Sequence, residues 1–175
     1  MTGNVGCVLW ITGFSGSGKT TLAKALLPHL GPKAILLDGD ELREVLGVAN
    51  CCFEPEDRLR LAFTYARLAR MLARQGCRVV VATISLFHAV HDWNRGHLPN
   101  YLEILLDVPE DERRRRDPKG LYAQANNSQG PKMSHQQQAE LPLQPHLYLH
   151  HSFEQGIDAH VSLVLDLLRQ CGWRL

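Results

Sequence analysis

The sequence has almost no net charge. Nineteen Lys and Arg stand against eighteen Asp and Glu, a formal charge of +1 over 175 residues. No global basic field exists to hold a nucleic-acid polymer, so none is expected as a partner. No apolar run approaches the roughly 20 residues that cross a bilayer, and no membrane partner is expected either. The first residues carry no basic stretch ahead of an apolar one, so no secretory signal is expected and a cytoplasmic location is. The five cysteines (Cys7, Cys51, Cys52, Cys77 and Cys171) form no C-x-x-C pair. Free thiols are expected rather than a disulfide framework or a metal site. There is no internal repeat. What is present is 45% hydrophobic and 21% charged residues, a composition that suits one globular domain over residues 1–175.

Apolar runs alternate with helical patterns. Val5 to Thr12 reads as a strand buried on both faces, and Gly18 to Leu30 as a helix stopped by Gly31-Pro32. Ala34 to Leu37 reads as a second strand. Pro55 to Gln75 reads as a long helix, Arg78 to Thr83 as the clearest strand, and Tyr101 to Leu106 as another. Pro109 to Arg115 opens a short helix. Leu147 to Leu149 reads as a last strand and Phe153 to Gln170 as a closing helix. This alternation predicts an α/β fold, a mainly parallel sheet of about five strands between two helical layers. Residues 126–145, with turn chemistry and a glutamine tract, break the pattern. They are expected to form a mobile lid or loop.

Gly13-Phe14-Ser15-Gly16-Ser17-Gly18-Lys19-Thr20 matches G-x-x-x-x-G-K-[ST] at every fixed position, between a strand and a helix. Glycines let successive N–H groups turn inward around phosphate, and the following helix adds the positive end of its dipole. ATP is the expected nucleotide. Gly13, Ser15, Gly16, Ser17, Gly18, Lys19, Thr20 and Thr21 are its expected contacts, with Lys19 on the β and γ phosphates and Thr20 on Mg²⁺. No N-K-x-D-like tetrapeptide for a guanine base occurs, and the chain is short for a motor ATPase. A small phosphotransferase remains.

Asp38-Gly39-Asp40 follows an apolar run, at the end of a strand that faces the ligand crevice in such sheets. One carboxylate can serve the metal and the other the attacking hydroxyl. Asp38 and Asp40 join Thr20 as expected metal ligands, and Asp40 and Lys19 are the expected catalytic residues. An N-cap is the competing use of the acidic turn. Arg43, one turn beyond Asp40, and Arg58 are candidates to hold an anionic substrate. The run Arg113–Arg116 is expected to be mostly solvated, with Arg116 the first to reach the nucleotide. His88, His91 and His97 have spacings that also allow a shared helix face or a metal.

These features resemble the adenylyl-sulfate kinases over roughly the first 125 residues. The resemblance rests on Gly13–Thr20, Leu37–Asp40 with Arg43, Pro55-Glu56-Asp57-Arg58, Val79–Ala82 with Ile84-Ser85, and above all Arg116-Asp117-Pro118-Lys119-Gly120-Leu121-Tyr122. It implies a P-loop fold, transfer of the ATP γ-phosphoryl to the ribose 3′-hydroxyl of a nucleotide, and a homodimer. It also implies that Ile84, Ser85, Leu86 and Phe87 line the acceptor pocket, and that the lid, about 116–145, brings Lys119, Gly120 and Leu121 over it.

The chain departs from that family's usual pattern in the acceptor half. Leu61 stands at a usual Asn, Phe63 and Thr64 at usual arginines, and Leu86-Phe87-His88 at a usual Pro-Tyr-Arg. No Gly-Ile-x-x-Pro-Tyr-Glu segment is found in 123–145. Asp38–Arg43, Thr83–Phe87, Asp92-Trp93-Asn94-Arg95 and Asn100-Tyr101 look instead like the cytidine diphosphoramidate kinases, divergent members of the same family. The resemblance thus implies an acceptor of cytidine type, with adenylyl sulfate as the alternative. A nucleotide sensor that has lost transfer is the reading from another class, and intact Lys19 and Asp40 argue against it.

Overall fold

The computed structural model describes residues 6–49, 51, 54–116, 139–150 and 156–173. Five strands, β1 (Cys7–Thr12), β2 (Ala34–Asp38), β3 (Arg78–Ala82), β4 (Tyr101–Asp107) and β5 (Leu147–His150), form one sheet in the order β2-β3-β1-β4-β5. Every pairing is parallel. β1 is apolar up to its last residue, Thr12, and buried at every position, as a central parallel strand must be. The helices are α1 (Lys19–Leu26), α2 (Gly39–Val45), α3 (Pro55–Arg74), α4 (His88–His97), α5 (Glu110–Arg116) and α6 (Ile157–Gln170). The α/β architecture expected from the alternation is the one observed.

Side chains alternate across the sheet and build two cores. Leu9, Ile11, Val80, Ile104 and Leu106 meet Leu22 and Leu26 of α1 and Val164, Leu165 and Leu168 of α6. Val8, Trp10, Val79 and Val81 meet α3 on the other face. α3 presents Ala62, Ala66, Ala69 and Ala73 there. Small residues at helical spacing let this long helix lie close to the strands. Cys7, Cys51, Cys77 and Cys171 are free thiols, as expected, and Cys52 lies outside the described residues.

The sequence pattern specifies no element between Thr83 and Tyr101, where the structure has α4. This helix is held by one buried acid. Glu103 points from β4 into the α3–α4 face and is fully buried. His91 Nδ1 lies 2.6 Å from Glu103 Oε1, Tyr101 donates to the same oxygen at 2.7 Å, and Arg95 pairs with Oε2. His88 and His97 go elsewhere, His88 to the Leu141 carbonyl and His97 flat against Trp93. Among the described residues no group of His, Cys, Asp or Glu is arranged to hold a metal ion.

The segment expected to be mobile divides. Residues 126–138 lie outside the described residues, whereas 139–146 are tied down. Glu140 N–H donates to the Leu86 carbonyl at 3.1 Å, Arg95 donates to the Gln144 carbonyl at 2.8 Å, and His146 N–H donates to the Glu103 carbonyl at 2.9 Å. The last part of the expected loop is therefore a strap across α4 and the start of β4.

Burial by itself would raise the Glu103 carboxyl. Its bonds from His91, Tyr101 and Arg95 outweigh burial and hold it below the ordinary carboxylate range. Glu103 thus adds stability above the unfolded-state value and loses it as pH falls. Removing the charge leaves buried His91 and the Arg95 guanidinium without their shared carboxylate, so Glu103→Gln should cost about 3 kcal/mol at pH 7. Urea titrations of both proteins should show the difference shrinking below pH of about 4.

Candidate functional site

Loop 13–18 runs from β1 to α1, and its shape comes from three glycines in the left-handed region. Gly13 has φ +147°, Gly16 +78° and Gly18 +91°. A Cβ on Gly13 would lie 2.4 Å from the Leu106 carbonyl oxygen, and one on Gly16 would lie 3.1 Å from that of Arg113. The loop is thus pressed against the end of β4 and against α5. The Arg113 guanidinium sits 4.5 Å over the Phe14 ring and donates to the Val108 carbonyl at 2.9 Å. This corrects the expectation of a solvated arginine run at its first member, which is buried and braces the loop. Arg114 and Arg115 are exposed, as expected.

Lys19 is buried, and its ammonium donates to the Phe14 carbonyl at 2.7 Å, across the loop. Ser17 is also buried, and its hydroxyl has no hydrogen-bond partner among the described residues. Ser15 is half-buried in the same turn. Beside the loop lies a cavity of about 190 Å³ lined by Ser17, Gly18, Thr21, Arg116 and His160, with Leu106, Val108, Leu149 and Ile157. Arg116 is oriented by Glu112, which accepts from it at 2.8 Å. Its Nη1 lies 3.8 Å from where a Cβ on Gly18 would be. His160 was not anticipated. It is buried and its Nε2 has no hydrogen-bond partner among the described residues. The signal was available: His160 lies on the face of α6 that carries Val161, Val164 and Leu168, and a polar residue on a buried stripe needs a reason.

The acidic turn comes to the loop from two strands away. Asp38 ends β2, is buried, and accepts from the Thr20 hydroxyl at 2.5 Å through Oδ2. Its Oδ1 accepts from Asp40 N–H at 2.9 Å and caps α2. Asp38 thus caps α2 with one oxygen and meets the loop with the other. Two oxygen donors so close suit a hard cation such as Mg²⁺. Asp40 is exposed, one residue into α2, on the side of Tyr65 and Arg43.

That side is cationic. Arg43 hydrogen-bonds Tyr65 and donates to the carbonyls of Val48 and Cys51. Burial pushes the Tyr65 phenol up, Arg43 draws it back, and Asp40 adds to the rise. Burial lowers the Arg58 pKa, Glu54 opposes this, and nearby Arg43 lowers it further. Two guanidiniums that act on one another electrostatically are candidates to hold an anion. The Arg58 guanidinium lies 5.9 Å over the Phe87 ring. Tyr65 was missed by the sequence reading, although it lies seven residues after Arg58 and so on the same face of α3.

The remaining expected residues are placed unevenly. Ser85 and Leu86 are buried. The Ser85 hydroxyl pairs with that of Thr83 at 2.9 Å, and the Ile84 carbonyl accepts from Thr12 at 2.5 Å. Phe87 is half-buried beside Arg58. Lys119, Gly120 and Leu121 lie outside the described residues.

Gly13→Ala should lose far more than Gly18→Ala. The first adds a backbone clash to an unfavourable φ, whereas a Cβ at Gly18 meets nothing nearer than Arg116 Nη1 at 3.8 Å. Thermal unfolding should register a cost above about 2 kcal/mol for Gly13→Ala and near 1 kcal/mol for Gly18→Ala.

Comparison with known proteins agrees with this geometry. The family model for adenylylsulphate kinase matches residues 5–150. A cytidine diphosphoramidate kinase from Campylobacter jejuni is 43% identical over 125 residues, 70% of this chain and 72% of that protein. A probable adenylyl-sulfate kinase from Archaeoglobus fulgidus is 40% identical over 121 residues, 67% of this chain and 77% of that protein. Among solved structures, the Mycobacterium tuberculosis APS kinase CysC in complex with AMPPNP and APS superposes with a TM-score of 0.78 at 32% identity. That match covers 94% of this chain and 98% of that one. The family match spans both the loop and the acidic turn: the chain belongs to the adenylyl-sulfate kinase family and is a phosphotransferase with an alcohol group as acceptor.

Proposed function

We propose that the protein transfers the γ-phosphoryl group of ATP to the ribose 3′-hydroxyl of a nucleotide whose 5′-phosphate carries a second group. The observation that carries this reading is the succession Lys19/Thr20, Asp38, Asp40 and Arg43/Arg58. The phosphate loop, an oxygen pair for a cation, an exposed carboxylate and a cationic patch follow one another along the crevice.

In this reading loop 13–18 and Lys19 bind the donor phosphates. Thr21, Arg116 and His160 border its nucleoside in the cavity beside Gly18. Thr20 and Asp38 would hold Mg²⁺, with Asp40 nearby; when bound, the ion neutralises phosphate charge. Asp40 orients the acceptor hydroxyl and takes its proton. Arg58, with Arg43 and Tyr65, holds the acceptor's own phosphates, and Phe87 offers a flat apolar surface. Lys119, Gly120 and Leu121 belong to the proposed lid. Most of the rate would come from alignment and fixed charge, with no covalent enzyme intermediate.

The acceptor we favour is cytidine diphosphoramidate, supported by the 43% identity to a kinase of that name and by the shared Thr83–Phe87 and Asp92–Arg95 segments. Adenylyl sulfate is the second reading, supported by the family model and the superposition on a kinase in complex with APS. The homodimer implied by resemblance is part of the proposal, and light scattering on the purified chain tests it.

Incubation with Mg-ATP and each acceptor separately, with product mapped by phosphorus NMR, should give a 3′-phosphate with one of the two. Lys19→Ala should lower kcat/KM by about 10³-fold and Asp40→Asn by about 10²-fold or more, with melting unchanged. Full turnover in Asp40→Asn would remove that carboxylate from the mechanism.

A further inference from the structure

The turn 83–88 is strained and held from several sides. Ser85 is not a glycine, yet it sits at φ +29°. Such a residue persists only where its surroundings fix it. From within the sheet it is fixed by the Thr83–Ser85 hydroxyl pair, by Thr12 on the Ile84 carbonyl, and by Phe87 N–H on the Ser85 carbonyl at 3.0 Å. These bonds settle residues 83–85. They leave Leu86–His88, where the turn becomes α4.

The N-cap of α4 is Phe87, which has no side chain able to accept from the first turn. The acceptor comes from 52 residues further along the chain. A carboxylate oxygen of Glu140, Oε2, accepts from His88 N–H at 2.6 Å, while Glu140's own N–H donates to the Leu86 carbonyl at 3.1 Å. One residue of the strap thus closes a two-bond clamp on both sides of Phe87. Its negative charge also lies at the positive end of a ten-residue helix. The neighbouring bond from His88 Nε2 to the Leu141 carbonyl at 2.9 Å keeps the strap in register. Phe87 is the member of this turn that meets Arg58.

We propose that Glu140 is a positioning residue for the acceptor nucleotide: its clamp on Leu86 and His88 sets the height and tilt of Phe87 against Arg58. This rests on the reading that the acceptor binds against Arg58 and Phe87. Glu140 touches neither substrate in this scheme.

The test is steady-state kinetics on the full chain with cytidine diphosphoramidate and adenylyl sulfate as separate acceptors. Dissociation constants by calorimetry give the same comparison where turnover is too slow. E140A should raise acceptor KM by about 10-fold or more, with KM for ATP changed by less than about 3-fold. E140Q keeps an oxygen for His88 N–H and should restore most of that affinity. An unchanged acceptor KM in E140A would overturn the proposal. So would equal loss for both substrates together with a fall in melting temperature, which marks a structural role only. E140Q as impaired as E140A would also overturn it. R58A and F87A separate the two layers. If they leave acceptor KM unchanged, the acceptor reading fails whatever Glu140 does. If they raise it while E140A does not, only the role of Glu140 fails.

Discussion

A hydrogen bond of 2.5 Å between Thr20 and Asp38 joins two parts of the chain that the sheet holds two strands apart. β3 lies between the strands that lead to them. The bond forms because every strand is parallel, so all the carboxyl ends open on one edge. The loop after β1 and the turn after β2 must meet there. The rest of the site follows from this contact. Asp38 uses its second oxygen to start α2, and the start of α2 fixes where Asp40 and Arg43 stand. A shift in the β2–β3 register would turn Asp38 to the opposite face and dissolve the arrangement.

A second constraint acts from the far side of the same sheet. Glu103 sits on β4 in an otherwise apolar core and draws His91, Arg95 and Tyr101 to it. Its backbone meanwhile pairs with His146, accepting from His146 N–H and donating to its Nδ1 at 3.0 Å. An isolated buried acid would be costly, but one with three donors becomes a fixed point. It holds α4 and the strap together, and they in turn frame the turn carrying Phe87. In the proposed reading the donor side is built on β1, α1 and α5, and the acceptor side on α3, α4 and the strap.

Much of this was legible in the residues. The phosphate loop is a local motif, because its glycines and lysine act within eight consecutive positions. The strands of this α/β sheet are continuous apolar runs, and parallel strands buried on both faces have to be. The acidic turn could be placed at a strand end for the same reason. Less legible was α4, whose polar residues point inward to Glu103 and so hide the apolar stripe that marks a helix. A run of four arginines predicts a mostly solvated face and does not mark Arg113 as the member that braces the loop through Phe14. Tyr65 and His160 could have been found by following the helical spacing from Arg58 and from Val164.

The sequence by itself determined what is encoded at short range: the phosphate loop, the alternation of strands and helices, the acidic turn at a strand end, and the likeness to a kinase family. Those depend on neighbours a few positions apart, so the residue pattern contains them. Only the tertiary structure decided which distant groups meet. It set Thr20 against Asp38, Arg43 against Tyr65, Glu103 among its three donors, and Glu140 on the turn that carries Phe87. Each of these pairs is joined by sheet order and helix packing rather than by chain proximity, and no spacing along the chain records them.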